Sequence, residues 1–272
     1  ISGFAQKQKY VIGFYNLENL FDIYDDPGKN DEEFLPDGKN KWTEAKYEKK
    51  LHNMAHVIRA MKEDNGTYHT ILGVSEIENR LVLEDLVSQD EIADANFQIV
   101  HYDSPDRRGV DVALLYRPDQ FKYLDSESLP FTFAPTNVKI TLSQEEQDYF
   151  RTRDILMVHG LIEGEHFAFY VAHLPSRIGG KGSDLRSRGA EIIYNHSREM
   201  EKKYPGIKIV VMGDMNDNPT DESMTVWMHG KESIKEVGKE DFFSPFTKML
   251  ADGYGSLAYQ GAWNIYDVIL AN

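Results

Sequence analysis

The feature that most constrains the fold is a short apolar run that ends in a cluster of polar side chains. Residues 209–212 are all apolar, which is typical of a strand buried on both faces, and Gly213 ends the run. Because unpaired carboxylates are costly at the edge of a core, the cluster requires a cation, a hydrogen-bond network or water. Taken alone, the segment is also compatible with a polar loop before a helix that opens at Asn218 and Pro219. The cluster consists of Asp214, Asn216, Asp217 and Asn218.

The same pattern recurs at four other apolar runs, residues 10–15, 70–74, 166–172 and 264–270, which are predicted to be strands. Layered α/β proteins gather strand ends at one edge, so the polar groups at these ends are predicted to converge on a single site. Their donor atoms are oxygens and one imidazole, without sulfur, which favours Mg²⁺, Mn²⁺ or Ca²⁺ over zinc or copper. These groups are Asn16, Glu18, Glu76, His173 and Asp267.

Composition narrows the classes of function. The 272 residues show no composition break, which predicts a flexible N-terminus at residues 1–9 and a single domain at residues 10–272. The absence of cysteine excludes disulfides, thiolate metal sites and a cysteine nucleophile. A net charge of -15 disfavours tight, non-specific binding to long nucleic acids but allows small anionic substrates. No apolar run approaches the ~20 residues that span a membrane, and a monomer is expected.

The first residues carry a possible targeting signal. Gly3, Phe4 and Ala5 resemble the small-residue end of a secretory signal peptide that is cleaved before Gln6. This interpretation predicts a periplasmic or extracellular protein. The alternative is an ordinary flexible terminus on a cytoplasmic protein.

Two arginines are candidate substrate contacts. Arg108 lies in a loop between predicted hairpin strands at residues 97–101 and 110–116, where it either meets a phosphate or caps the turn. Arg177 follows His173 closely in the chain and is either a substrate contact or a surface charge. Residues 151–188 contain more basic than acidic side chains, against the sign of the whole chain, which suggests anion binding. Helices are predicted from Thr43 to residue 61, at residues 80–88 and at residues 184–203.

Six blocks together resemble the endonuclease/exonuclease/phosphatase superfamily, in its deoxyribonuclease-like, secreted bacterial form. The blocks are residues 16–19, 75–78, 108–113, 173–174, 213–216 and 266–269, in the expected order over nearly the whole chain. The resemblance implies an α/β fold, a four-layer α-β-β-α sandwich with two packed mixed β-sheets. It also implies a metal-dependent hydrolase of phosphate esters, a phosphodiesterase or nuclease that uses in-line attack by water.

The resemblance implies a role for each matched residue. Glu76 resembles the primary ligand of Mg²⁺, with Mn²⁺ or Ca²⁺ as alternatives, and Asn16 and Glu18 complete that region directly or through water. Asp214 resembles the acid that activates or orients the attacking water. Asn216 resembles a hydrogen-bond donor to the phosphoryl group, and His173 resembles a donor that stabilises the transition state. Asp267 resembles an acid that pairs with a histidine.

The expected substrates are small or nucleic-acid phosphodiesters, with phospholipid headgroups and sugar or inositol phosphates as alternatives. The sequence departs from the family at its end, because no histidine follows Asp267. We expect that a C-terminal strand is missing from the sequence. The alternative is a catalytically impaired member that binds a phosphorylated ligand or a protein partner. A third hypothesis is a structural β-rich module without chemistry at its strand ends.

Overall fold

The structure is a computed structural model that describes residues 8–177, 182–259 and 261–272. The possible signal remnant and most of the glycine-rich loop after Arg177 therefore lie outside the described residues. The helices are α1 (Glu44–Asn65), α2 (Arg80–Val87), α3 (Gln144–Tyr149), α4 (Ser183–Lys203) and α5 (Phe246–Ala251), with a π-helix at Ser223–Trp227 and 3-10 turns at Glu32–Phe34, Ala93–Ala95 and Ile234–Glu236. The strands are β1 (Ile12–Leu20), β2 (Ile71–Ile77), β3 (Gln98–His101), β4 (Asp111–Tyr116), β5 (Lys122–Leu129), β6 (Ile155–Ile162), β7 (Glu165–His173), β8 (Lys208–Asp214), β9 (Gly230–Lys231), β10 (Phe242–Phe243), β11 (Leu257–Tyr259), β12 (Ala262–Asn264) and β13 (Asp267–Ala271).

The long strands form two mixed sheets. The four-stranded sheet has the order β1-β2-β4-β3, with β1 parallel to β2 and antiparallel pairs elsewhere. The seven-stranded sheet has the order β5-β6-β7-β8-β13-β10-β9 and contains the parallel pair β7 and β8. Strands β11 and β12 form a separate hairpin. Among the described residues, no helix has both the length and the apolar composition needed to cross a membrane.

Three apolar cores separate four layers. Between the sheets, side chains such as Leu114 from the first sheet pack with Phe169 from the second. Helices α1 and α2 cover the outer face of the first sheet through residues such as Leu51 and Leu83. Helix α4 covers the outer face of the second sheet through residues such as Ile193. The predicted four-layer sandwich with two packed mixed sheets is therefore confirmed.

The two sheets approach each other closely where β2 faces β8. A Cβ atom added to Gly73 would lie 2.5 Å from Sδ of Met212, so a glycine lets this methionine fill the space between the sheets. Gly73 precedes Glu76 in β2, and Met212 precedes Asp214 in β8. The tight packing therefore brings the C-terminal ends of β2 and β8 close together.

Three local predictions need correction. Strands β1 and β2 continue beyond their apolar runs, so Asn16, Glu18 and Glu76 lie within strands rather than after them. No helix opens at Asn218 and Pro219. The chain forms a turn there instead, in which the N–H of Asp221 donates to the carbonyl oxygen of Asn218 at 2.9 Å. The π-helix begins only at Ser223. Residues 231–262, predicted to be irregular, contribute β10 to the larger sheet through pairing with β13.

Candidate active site

All nine predicted site residues line one cleft at the mouths of the central strands. The cleft has a volume of about 1230 Å³. The ends of the two sheets form two of its walls, and the rim is lined by residues between 141 and 151 and by Ser256, Leu257 and Tyr259. The nine residues are Asn16, Glu18, Glu76, Arg108, His173, Arg177, Asp214, Asn216 and Asp267.

Strand register places three of these residues in a row. His173 of β7 is the partner of Asp214 of β8, and Asp267 of β13 is the partner of Asp214 on its other side. The smaller sheet supplies the facing groups. Nδ2 of Asn16 donates to Oδ2 of Asp214 at 3.3 Å, and Oε1 of Glu76 lies 3.9 Å from Nε2 of His173. The site is therefore built across the junction of the two sheets.

The backbone around Asp214 explains the glycine before it. Gly213 has a φ of 152°, and a Cβ atom there would lie 1.9 Å from the carbonyl oxygen of Ala172. The Asp214 carboxylate then accepts a hydrogen bond from the N–H of Asn216 at 2.9 Å, which fixes its direction. Only glycine fits the neighbouring strand at this point, so Gly213 and Asp214 act as one structural unit.

Three site residues adopt the left-handed backbone conformation without being glycine. Their φ values are 50° for Glu18, 58° for Glu76 and 50° for Asn216. This conformation costs roughly 1–2 kcal/mol per residue because Cβ crowds the following carbonyl oxygen. Backbone strain of this kind concentrates at functional sites, where the surrounding structure holds it in place.

Burial and mutual repulsion raise the pKa values of two carboxyl groups in the site. Burial raises the pKa of Asp214 to about 7, and the charges of Asp267 and Glu76 add to this effect. Burial likewise raises the pKa of Asp267 to about 6, with contributions from Glu76 and Glu18, while the Ser256 hydroxyl opposes the rise. Oδ1 of Asp267 is buried and has no hydrogen-bond partner among the described residues.

These donors fit a divalent cation. One ligand atom each from Glu76, His173 and Asp214 lies within 4.8 Å of the others. The ligand set predicted from the sequence is different, because it joins Glu76 to Asn16 and Glu18. Asn16 contacts this group through Asp214, whereas Glu18 is exposed at the edge of the cleft. Carboxylate oxygens with one imidazole suit Mg²⁺ or Mn²⁺, and the negative charge would be neutralised by the ion.

His173 is a buried, neutral imidazole. Burial lowers the pKa of His173 well below its ordinary value, and the positive charges of Arg153 and Arg108 lower it further. Its Nε2 lies 3.8 Å from Oδ2 of Asp214. A neutral ring at this position has two chemical uses: it donates an N–H to a phosphoryl oxygen, or it offers a lone pair to a cation.

Three of the arginines in or beside the cleft, Arg107, Arg108 and Arg177, have different environments. Arg108 is exposed in the cleft and forms no ion pair within the described part of the chain, while the turn below it is capped by Asp106, which accepts from the Arg108 N–H at 2.9 Å. Arg107 instead donates to the carbonyl oxygen of Tyr149 at 2.8 Å. Arg177 is paired with Asp221 at 3.0 Å. Of these three, Arg108 is the one available to an anionic ligand.

Two arginines of the basic excess at residues 151–188 are buried in ion pairs. Arg186 pairs with Asp217 at 2.7 Å, and Arg188 pairs with Glu191 at 2.6 Å, and all four side chains are buried. Sequence reasoning missed several cleft residues, of which Arg153 is the most buried charged one. Arg153 belongs to the basic excess at residues 151–188, but charge alone does not distinguish a buried arginine from an exposed one. The other missed cleft residues include Thr141, Phe150, Arg151, Tyr259 and Tyr266.

Comparisons with known proteins give a family and a set of similar folds. The model of the Endonuclease/Exonuclease/phosphatase family matches residues 11–272. The human Nocturnin catalytic domain with bound sulfate anion is similar at 16% identity and a TM-score of 0.53, over 80% of this chain and 74% of that one. The mannosyl-6-phosphatase of Bacteroides thetaiotaomicron has 16% identity and a TM-score of 0.56, over 82% and 77%. D. rerio TDP2 complexed with single strand DNA product has 12% identity and a TM-score of 0.52, over 82% and 77%. The search of curated proteins found no match.

Proposed function

Because the chain belongs to the endonuclease/exonuclease/phosphatase family, a family of phosphoric ester hydrolases, we propose that it is a divalent-metal-dependent phosphodiesterase or nuclease. The observation that carries this proposal is the row of His173, Asp214 and Asp267 facing Glu76 across the junction of the sheets. Arg108, which forms no ion pair with any described residue, adds a positive charge to the same cleft. The arrangement offers metal ligands, a proton acceptor and an anion-binding group within one space.

The proposed cofactor is Mg²⁺, with Mn²⁺ or Ca²⁺ as alternatives. Glu76 would hold the ion, with Asn16 and Glu18 acting directly or through water, and Asp214 and His173 are the nearest further donors. A bound ion would polarise a phosphoryl oxygen and neutralise charge on the leaving oxygen.

Asp214 is proposed to accept a proton from the attacking water. In the metal-free protein the pKa of Asp214 is about 7, and a cation bound beside it would lower this pKa and favour the carboxylate form that accepts a proton. The N–H of Asn216 and Nδ2 of Asn16 hold the carboxylate in place, at 2.9 and 3.3 Å. Asp267, as the neighbouring negative charge, keeps Asp214 basic.

The remaining groups are proposed to bind the phosphoryl oxygens. His173 donates its ring N–H to charge that develops in the transition state. Nδ2 of Asn216 donates one hydrogen to the carbonyl oxygen of Leu174 at 2.9 Å, so the second amide hydrogen remains for the substrate. Arg108 binds an oxygen of the phosphate, and removal of one such donor typically costs ~10²- to 10³-fold in rate.

The decisive experiment is hydrolysis of bis-(p-nitrophenyl) phosphate with and without Mg²⁺. We expect metal-dependent turnover that falls by at least ~10²-fold in Glu76→Gln and in Asp214→Asn. Glu63→Gln and Asp119→Asn remove the same charges from exposed positions and serve as matched controls. Absence of turnover with Mg²⁺, Mn²⁺ and Ca²⁺ would sink the proposal for this substrate class.

We propose one preferred class of substrate and two alternatives. Phosphodiesters, small or within a nucleic acid, come first, and sugar or inositol phosphates and phospholipid headgroups are the alternatives. Neighbours in fold include both a sugar phosphatase and a protein complexed with single strand DNA product, so the fold accommodates both classes. A panel of single-stranded DNA, sphingomyelin and inositol phosphates, followed by release of mononucleotide, phosphocholine or phosphate, decides between them.

A second candidate function is binding without turnover. The observation that favours it is the buried Oδ1 of Asp267, which has no partner among the described residues and so leaves one side of the site incomplete. A catalytically impaired protein would bind a phosphorylated ligand or a protein partner. Calorimetry with metal and phosphodiester would then show saturable binding while the ester stays intact.

A further inference from the structure

The guanidinium of Arg153 is buried behind the candidate active site. Its Nε donates to the carbonyl oxygen of His173 at 3.1 Å, and its Nη2 donates to the carbonyl oxygen of Leu174 at 2.9 Å. Its Nη1 donates to Oδ2 of Asp106 at 3.2 Å. The side chain is only 8% exposed, and each of its three nitrogens is already engaged by protein oxygen atoms.

Asp106 extends this contact to the turn that presents Arg108. Its second oxygen, Oδ1, accepts from the N–H of Arg108 at 2.9 Å and from the N–H of Val110 at 3.4 Å. Arg153 therefore fixes both the end of β7 and the turn before β4 through one rigid, planar group. A lysine cannot reproduce this, because a single ammonium does not span acceptors in the same fork geometry.

The Leu174 peptide extends the contact to the loop after β8. Its carbonyl oxygen accepts from Nδ2 of Asn216 at 2.9 Å as well as from Arg153. The N–H of Leu174 donates to the carbonyl oxygen of Asp214, also at 2.9 Å. The Arg153 guanidinium is therefore hydrogen-bonded directly to His173 and is linked to Arg108 through Asp106. Leu174 links it in the same way to Asp214 and Asn216.

We propose that Arg153 is a positioning residue that holds His173 and Arg108 at their working separation without touching the substrate. The inference rests on the proposed function for what these two groups do. Stability alone is a poor explanation of the arrangement, because a buried ion pair is often no more stabilising than apolar residues of similar volume. Arg153 instead binds acceptors on two separate segments, one at His173 and Leu174 and one at Asp106. This arrangement fixes the positions of the two segments relative to each other.

The test compares Arg153→Lys with Arg188→Lys. Arg188 is equally buried and paired, with Glu191, but it does not line the cleft. We expect both variants to melt at lower temperature, but only Arg153→Lys to lose about 10- to 100-fold in kcat/KM, since a displacement of about 1 Å costs up to ~10²-fold. Asp106→Asn keeps an acceptor for the turn and removes the charge, so we expect a smaller loss in the same direction.

A second measurement does not depend on turnover. NMR signals of the His173 ring and the Arg108 Nε–H are assigned by their absence in His173→Gln and Arg108→Lys. We expect both signals to shift in Arg153→Lys and in Asp106→Asn, and neither to shift in Arg188→Lys. Unmoved signals in a folded Arg153→Lys or Asp106→Asn protein overturn the inference. If the wild type hydrolyses none of the esters, the proposed function fails, and the NMR comparison alone decides whether Arg153 positions the two groups.

Discussion

At the scale of single residues, the candidate site combines repulsion with backbone strain. Asp214 and Asp267 are direct neighbours on adjacent strands, and Glu76 opposite them adopts a left-handed backbone conformation. None of these features stabilises the metal-free protein. They are compatible with a stable fold because pairing with the neighbouring strands fixes the backbone at these positions.

The carboxylate pair predicts an unusual pH dependence for the metal-free protein. The folded-state pKa values are about 7 for Asp214 and about 6 for Asp267, whereas an unfolded aspartate titrates near ~3.9. Their contribution to stability is therefore complete below about pH 4 and is lost as the pH rises through both folded-state values. In EDTA we expect the melting temperature of wild type to fall between about pH 4 and 7, relative to that of Asp214→Asn. Parallel curves for the two proteins would contradict this.

The two candidate substrate arginines are predicted to differ. Arg108 forms no ion pair in the described part of the chain, whereas Arg177 is paired with Asp221 and packs over the ring of Tyr266. We expect Arg108→Gln to lower kcat/KM by ~10²-fold with little change in melting temperature. Arg177→Gln is expected to lower the melting temperature more and kcat/KM less. Steady-state kinetics and thermal melts of both variants check this, and equal losses of kcat/KM would show that Arg177 also binds substrate.

At the scale of elements, the ends of β7, β8 and β13 form one surface. The apolar run before Gly213 made β8 predictable, and β7 and α4 were predictable because their apolar patterns are clear. Convergence of the polar strand ends was also predictable, since such ends meet at one edge of layered sheets. The two-residue strands β9 and β10 could not be predicted, because they are defined by pairing with other strands rather than by local sequence.

Gly213 is predicted to be essential to the end of β8. A methyl group there would meet the Ala172 carbonyl oxygen at 1.9 Å, which forces β7 and β8 apart. We expect Gly213→Ala to lower the free energy of unfolding by about 1–3 kcal/mol and to reduce activity by displacing Asp214. Urea denaturation measures the first effect. Gly206→Ala, also at a positive φ but with open space around it, is the matched control and should cost less.

At the scale of the whole molecule, the site depends on how two sheets meet, and this is the part that the sequence could not provide. Apolar periodicity predicts strands but not the pairing of Asn16 in β1 with Asp214 in β8, which are 198 residues apart. Burial of Arg153 is likewise a property of the assembled layers. The proposed monomer is checked by light scattering after size-exclusion chromatography.

Metal binding is predicted to stabilise the whole fold. A ligand at 100 times its Kd adds ~2.7 kcal/mol to the free energy of unfolding. We expect Mg²⁺ to raise the melting temperature of wild type and EDTA to reverse the rise. Glu76→Gln should abolish the response and, because it removes repulsion and no apolar contact, melt above the metal-free wild type. A Glu76→Gln protein that still responds to Mg²⁺ would assign the ion to other ligands.

The close packing of Met212 against Gly73 bears on how a substrate enters. Both residues lie directly behind the walls of the cleft, and the sheets interlock there with no space for a side chain on Gly73. Because the two sheets are tightly packed at this point, we expect that the cleft does not open by separation of the sheets. The residues at its rim then set its width. Residues 141–151 and the β11 residues Leu257 and Tyr259 would then select between a small ester and a polymer, before any bond is broken.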